Sequence, residues 1–198
     1  MRYQDVPVTA EGISTSEFID ATEGVVKLFD LLGSSAFAVV QNDMNGNIKL
    51  VLTRAQKIRD RLLSTGPDLS GTLQLLVKNE GLPGDKKRTA TEGLLWLLRG
   101  LEFTARALRL SLENPSEELS TSFTKAYENT LRKYHSILVR PVFSLAMKAC
   151  PYRKDFYAKL GPSEDVVRTP LTEWLVALEK IVQNMHQFYE QGQYAKGF

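Results

Sequence analysis

Apolar side chains recur at three- and four-residue steps along almost the whole of this chain, and no stretch of useful length alternates apolar with polar. That period belongs to helices buried on one side, and it leaves no material for a sheet. Ser14 and Glu17 form a capping-box pair at the head of a run in which Phe18, Thr22, Val25, Val26, Phe29 and Leu32 follow at helical spacing. Gly33 stands where a helix-terminating glycine belongs. A further helical segment is expected over about 36–63, ended by Gly66-Pro67, and a short one over 70–80 with Leu73, Leu76 and Val77 inward. Thr89 and Glu92 read as a second capping pair, opening a long helix whose face carries Leu94, Leu97, Leu98, Leu101, Ala105 and Leu108. Asn114-Pro115 stops it.

Downstream, SFTKAYENTLRKYHSILV reads as helix, kinked or restarted at Pro141 and ended by Pro151. A short helix comes next, over 153–160. The last helix is expected to begin close to Pro170, with Leu171, Leu175, Leu178, Val182, Met185 and Tyr189 as its buried stripe. Several helices, LLWLLRGL above all, are apolar on more than one side. The pattern therefore predicts an all-α, layered fold with deeply buried central helices rather than a simple four-helix bundle.

The 198 residues suit one domain spanning the chain, with residues 1–12 expected to be flexible. Lys plus Arg exceeds Asp plus Glu by only two, which disfavours nucleic acid as a partner. The single cysteine, Cys150, cannot make an intrachain disulfide, and with only two histidines no His- or Cys-rich metal site is expected. No apolar run approaches the ~18 residues of a membrane span, and MRYQDVPVTAEG lacks the apolar core of a secretory signal. A cytoplasmic location is the expectation.

Four features stand out as chemistry. Asp43 and Asn47 are four apart, which on a helix puts a carboxylate and an amide on one face, although Asn-Gly beside them equally signals a turn. Trp96 is either a core tryptophan or a flat surface for stacking a sugar ring, with Gly100 leaving room one turn later. His135 shares a helical stripe with Tyr127, Leu131 and Leu138, as a core residue or as a hydrogen-bond donor within an apolar pocket. Basic residues cluster at Lys86, Lys87 and Arg88, at Arg132, Lys133 and Arg140, and at Arg153 and Lys154, as solvated faces or as a weak attraction to an anionic membrane. His186 reads as a surface or packing residue.

Enzyme signatures fail. There is no phosphate-binding glycine loop and no nucleophile elbow. Cys150 and His135, on a run expected to be one kinked helix, would stand roughly 22 Å apart if it were straight. Asp, Asn, Trp and His are groups for holding a ligand.

The segments FDLLGSSAF, NDMNGNI, TATEGLLWLLRGLEF and TKAYENTLRKYHSILVRPVFSLAMKACPYRKDFYAKLG, in this order and spacing, resemble those of the glycolipid transfer proteins, most closely the fungal heterokaryon-incompatibility branch. The resemblance implies a two-layer fold of about eight helices enclosing a lipid tunnel. It implies transfer of glycosphingolipids between membranes without vesicles, with no enzyme activity, metal or cofactor, and with only peripheral, transient membrane contact by a monomer. Asp43 and Asn47 match the family's sugar-binding carboxylate and amide, and Trp96 matches the stacking platform. His135 matches the donor to the ceramide amide carbonyl, and Asp43 the acceptor for its N–H. Phe103, Leu131 and Phe143 fall at tunnel-lining positions. The branch that carries ceramide phosphate has basic residues at the positions of Asn47 and Trp96, so a neutral sugar is the expected headgroup. A glycolipid sensor or helical interaction module, binding lipid without net transfer, is the alternative.

One departure is large. The family pattern places a sugar-binding lysine three residues after the asparagine, where this chain has Leu50. The family-like KIRDRLL resumes at Lys57, which implies an insertion of seven residues around 50–56. Seven residues nearly preserve helical phase but shift the downstream residues by ~10.5 Å along a continuous helix, so whether Lys57 reaches a sugar depends on the insertion looping out. Near Ile137 the family usually places an aromatic residue at the membrane interface.

Overall fold

Capping and helical period set where the elements begin and end. The computed structural model describes residues 1–32, 54–80 and 88–198. Helix α1 (Thr15–Leu31) starts directly after Ser14, whose hydroxyl donates to the Glu17 carboxylate. Residues 54–65 form α2. Gly66 then takes φ of 77°, a left-handed conformation that suits glycine, and Pro67 opens the short α3 (Pro67–Ser70). After these come α4 (Leu73–Glu80), α5 (Thr89–Glu113), α6 (Leu119–Asn129), α7 (Val139–Lys148), α8 (Arg153–Leu160) and α9 (Glu164–Gln191). Among the described residues there is no strand, only isolated bridges pairing Val8 with Ile13 and Ser14 with Thr72. The all-α expectation holds.

Helix α5 is the central element. Leu94, Leu95, Leu97 and Leu98 are all buried, so it has apolar neighbours on several sides, and it packs against α4, α6 and α9. Leu175, Leu178, Val182, Met185 and Tyr189 of α9 are buried as the sequence stripe requires. Tyr189 Oη donates to the Thr91 carbonyl at 2.7 Å and ties the two helices together.

The head of α5 is capped differently from the sequence expectation. Arg88 occupies the cap, but its side chain does not cap the helix and donates instead to the carbonyls of Tyr194 and Lys196. The carboxylate of Glu80, at the end of α4 and only 3% exposed, accepts from the N–H groups of Ala90 at 2.9 Å and Thr91 at 2.6 Å. A negative group at this end satisfies orphan donors and complements the helix dipole.

Two other features depart from the spacing. Helix α9 begins at Glu164 behind Ser163, whose Oγ accepts from Val166 N at 3.4 Å, so Pro170 lies inside the helix. The carbonyl that loses its bond to that proline belongs to Val166, an exposed residue that water reaches. Near the N-terminus Tyr3 is 1% exposed and its hydroxyl meets Thr22 Oγ1 at 3.0 Å. The run through His135 is not one helix: α6 stops at Asn129, Leu131–Tyr134 is a 3-10 turn, and His135 is extended (φ −89°, ψ 136°). Leu138, placed on an inward stripe by the spacing, is consequently 86% exposed.

Candidate functional site

Trp96 projects from the middle of α5 and is half-buried, whereas Leu95 and Leu97 on either side of it are buried. The break after α6 brings His135 to it. The two rings are nearly parallel, 17° apart, with centroids separated by 6.3 Å. Tyr134 meets the same indole edge-on at 6.3 Å. A Cβ built at Gly100, one turn on, would touch nothing within 4 Å among the described residues.

From His135 a file of rings runs inward. Phe143 of α7 lies 4.4 Å from the imidazole and stacks on Tyr127 of α6 at 5.2 Å. Tyr127 faces Phe103 of α5 edge-on at 6.5 Å, and Phe103 meets Phe123 at 5.7 Å. Phe103 and Leu131 are buried and Phe143 is half-buried. The file leads from a partly exposed indole into the apolar core shared by α5, α6 and α7.

The electrostatics keep His135 neutral. Partial burial, then the guanidiniums of Arg54 and Arg140, push its pKa below the ordinary histidine value. Its Nδ1 lies 3.2 Å from the Tyr127 hydroxyl, and its backbone carbonyl accepts from Arg140 Nε at 3.0 Å. Burial raises the Tyr127 pKa, so that hydroxyl keeps its proton. When Tyr127 donates to Nδ1, the imidazole hydrogen is on Nε2 and is free to be offered to a ligand carbonyl.

The model of the glycolipid transfer protein family matches residues 13–162. The chain belongs to the glycolipid transfer protein family. Members of this family are lipid transfer proteins, not enzymes. The chain is 53% identical over 186 residues to a glycolipid transfer protein of Aureobasidium melanogenum, covering 94% of this chain and 88% of that one. It is 33% identical over 190 residues to human pleckstrin homology domain-containing family A member 8, covering 90% of this chain but only 35% of that protein's length. The crystal structure of HET-C2, a fungal glycolipid transfer protein, superposes with a TM-score of 0.84 at 48% identity, covering 96% of this chain and 93% of that one. The all-helical architecture is thus the glycolipid transfer protein fold.

Within that fold, ring contacts join Trp96 to His135, His135 to Phe143 and, through Tyr127, Phe143 to Phe103, while Leu131 is buried. Asp43 and Asn47 lie outside the described residues. Lys57 is half-buried on α2 and runs along α5 one turn before Trp96, where a Cβ added to Gly93 would lie 3.4 Å from Lys57 Cδ. Arg54 reaches the indole, with Cζ 5.3 Å from the Trp96 centroid and Nη1 3.4 Å from the Trp96 carbonyl. Arg99 Cζ lies 4.7 Å from the same centroid and 3.8 Å from that of Tyr134. Sequence reasoning missed both arginines. Arg99 was findable, since it lies three residues beyond Trp96 on a helix. Arg54 gave no local signal.

Behind Arg99 a groove of about 870 Å³ opens between α5 and α9, lined in part by Glu102, Tyr134 and His186. His186 is half-buried, with Nε2 3.3 Å from Glu102 Oε2. That contact holds the Glu102 carboxyl below its usual range.

Proposed function

We propose that this protein binds a glycosphingolipid and carries it between membranes as a monomer in the cytoplasm. The observation that carries this reading is the half-buried indole of Trp96, paralleled by a neutral imidazole at the head of an aromatic file into the core. In this reading the sugar stacks on Trp96, with Asp43, Asn47 and Lys57 as its polar partners. His135 donates Nε2–H to the ceramide carbonyl, and Asp43 accepts from the ceramide N–H. The hydrocarbon chains follow Phe103, Leu131 and Phe143 inward.

The energetics require such a lining. Exposing a lipid chain to water costs about 0.8 kcal/mol per CH₂, so a carrier must replace the bilayer with apolar walls. Discrimination then comes from the polar mouth, because a lipid lacking hydroxyls and an amide would leave buried donors and acceptors unpaired.

Membrane contact is assigned to the segment after His135. Ile137 is 80% exposed and Leu138 86%, followed by exposed Val139 and Leu145 on α7. Arg132, Lys133 and Lys148, also exposed, flank this apolar stretch with positive charge suited to anionic headgroups. Among the described residues no helix is long and apolar enough to cross a membrane, in keeping with a peripheral encounter.

The deciding experiment is transfer of labelled galactosylceramide from donor to acceptor vesicles. Acceleration above spontaneous exchange supports a carrier; binding without acceleration would instead make the protein a sensor.

A further inference from the structure

The indole assigned as a sugar platform is not bare. Arg99, only 7% exposed, is a fixed part of its surroundings, wedged against Trp96 and Tyr134. Arg54 differs: it is half-buried and its guanidinium lies over the ring. Its hydrogen bond among the described residues is the 3.4 Å contact to the Trp96 carbonyl, and no described carboxylate stands within ion-pair distance of it. Arg140 adds a third guanidinium at the His135 carbonyl. Arg54 feels the charge of Glu92, and Arg99 that of Glu102, but neither guanidinium forms an ion pair with a described carboxylate.

A sugar that stacks on Trp96 must share the indole with Arg54 or displace it. The side chain is long enough to swing aside, but it then gives up its contact with the ring and needs a new partner. Its surroundings solvate it poorly, and burial has already pushed its pKa down to about 10. A neutral hydroxyl offers the displaced guanidinium an ordinary hydrogen bond. A sulfate or carboxylate offers a charge-assisted and bidentate one, roughly twice as strong.

We propose that Arg54 is a specificity-determining residue, directing this site towards a glycolipid whose sugar carries an anionic substituent. The inference rests on the glycolipid reading above and narrows its substrate class. Arg54 falls within the stretch around 50–56 that the sequence reading expects to be an insertion, so the preference is expected to belong to this chain rather than to the fold. It also revises the neutral headgroup expected from the sequence.

The test uses short-acyl probes in solution, so that vesicle surface charge does not enter. Wild-type protein, Arg54→Gln and Arg54→Lys are titrated calorimetrically with N-octanoyl galactosylceramide, its 3-sulfate and N-octanoyl ceramide phosphate, after circular dichroism confirms matching helicity. Wild type should bind the sulfated lipid about tenfold tighter than the neutral one, with the ratio near one in Arg54→Gln and intermediate in Arg54→Lys. Equal or weaker binding of the sulfated lipid by wild type overturns the inference and leaves the glycolipid reading standing. A preference that survives Arg54→Gln also overturns it, as does ceramide phosphate binding tighter than both, since charge would then be read without sugar. If neither galactolipid binds, the glycolipid reading falls and this inference with it.

Discussion

The imidazole of His135 lies within 17° of parallel to the indole of Trp96, with 6.3 Å between ring centroids, although 39 positions separate the two residues in the chain. The stacking depends on the chain leaving helical geometry after Asn129. A continuous helix would have carried His135 on along its own axis.

Removing the indole should abolish function while sparing the fold. Trp96→Ala should lower the rate of galactosylceramide transfer at least about tenfold, the loss of roughly 1.4 kcal/mol or more of headgroup binding. Far-ultraviolet circular dichroism should be nearly unchanged, because Trp96 is half-buried and α5 is held by its leucines. Near-wild-type transfer would mean the sugar sits elsewhere.

The depressed pKa of His135 carries a sign for stability. The unfolded chain takes up a proton at higher pH than the folded one, so acidification through the ordinary histidine range and below destabilises the fold, and stability recovers as pH rises. In urea titrations at pH 7 and pH 5, wild type should lose more stability between the two than His135→Gln does. Identical losses would show that His135 titrates as it does in the unfolded chain.

Glu80 should matter far from the lipid. Glu80→Ala leaves the N–H groups of Ala90 and Thr91 without their acceptor at the buried head of α5, at a cost of about 2 kcal/mol. The midpoint of urea unfolding reports this. A shift within error would mean water substitutes for the carboxylate.

Charge on the exposed apolar segment should uncouple docking from binding. The double variant Ile137→Asp with Leu138→Asp should bind vesicles at least about tenfold more weakly, given the cost of placing carboxylates at a lipid interface. Its affinity for a short-acyl glycolipid in solution should stay close to wild type. Undiminished sedimentation with vesicles would move the docking face elsewhere.

Cys150 should be chemically quiet. Burial pushes its thiol pKa up to about 12, so little thiolate exists at pH 8. Alkylation by iodoacetamide should be slow in the native protein and fast in urea, as followed by intact mass. Equal rates would contradict the burial of the sulfur.

Much of this protein could be read from its residues in order. The doubly apolar run around Leu94–Leu98 determined that α5 is central, and the stripe from Leu175 to Tyr189 determined the inner face of α9, because helical period is a local property. The motifs around Trp96 and His135 identified the family and named the two rings. Spacing alone did not give the break after Asn129, the capping of α5 by Glu80 or the position of Arg54 over the indole. Each joins residues on different elements, and such contacts are decided by how helices pack rather than by the period within any one of them. The tertiary structure therefore decided the charge around the candidate site, where Arg54 of one helix lies over the Trp96 indole of another.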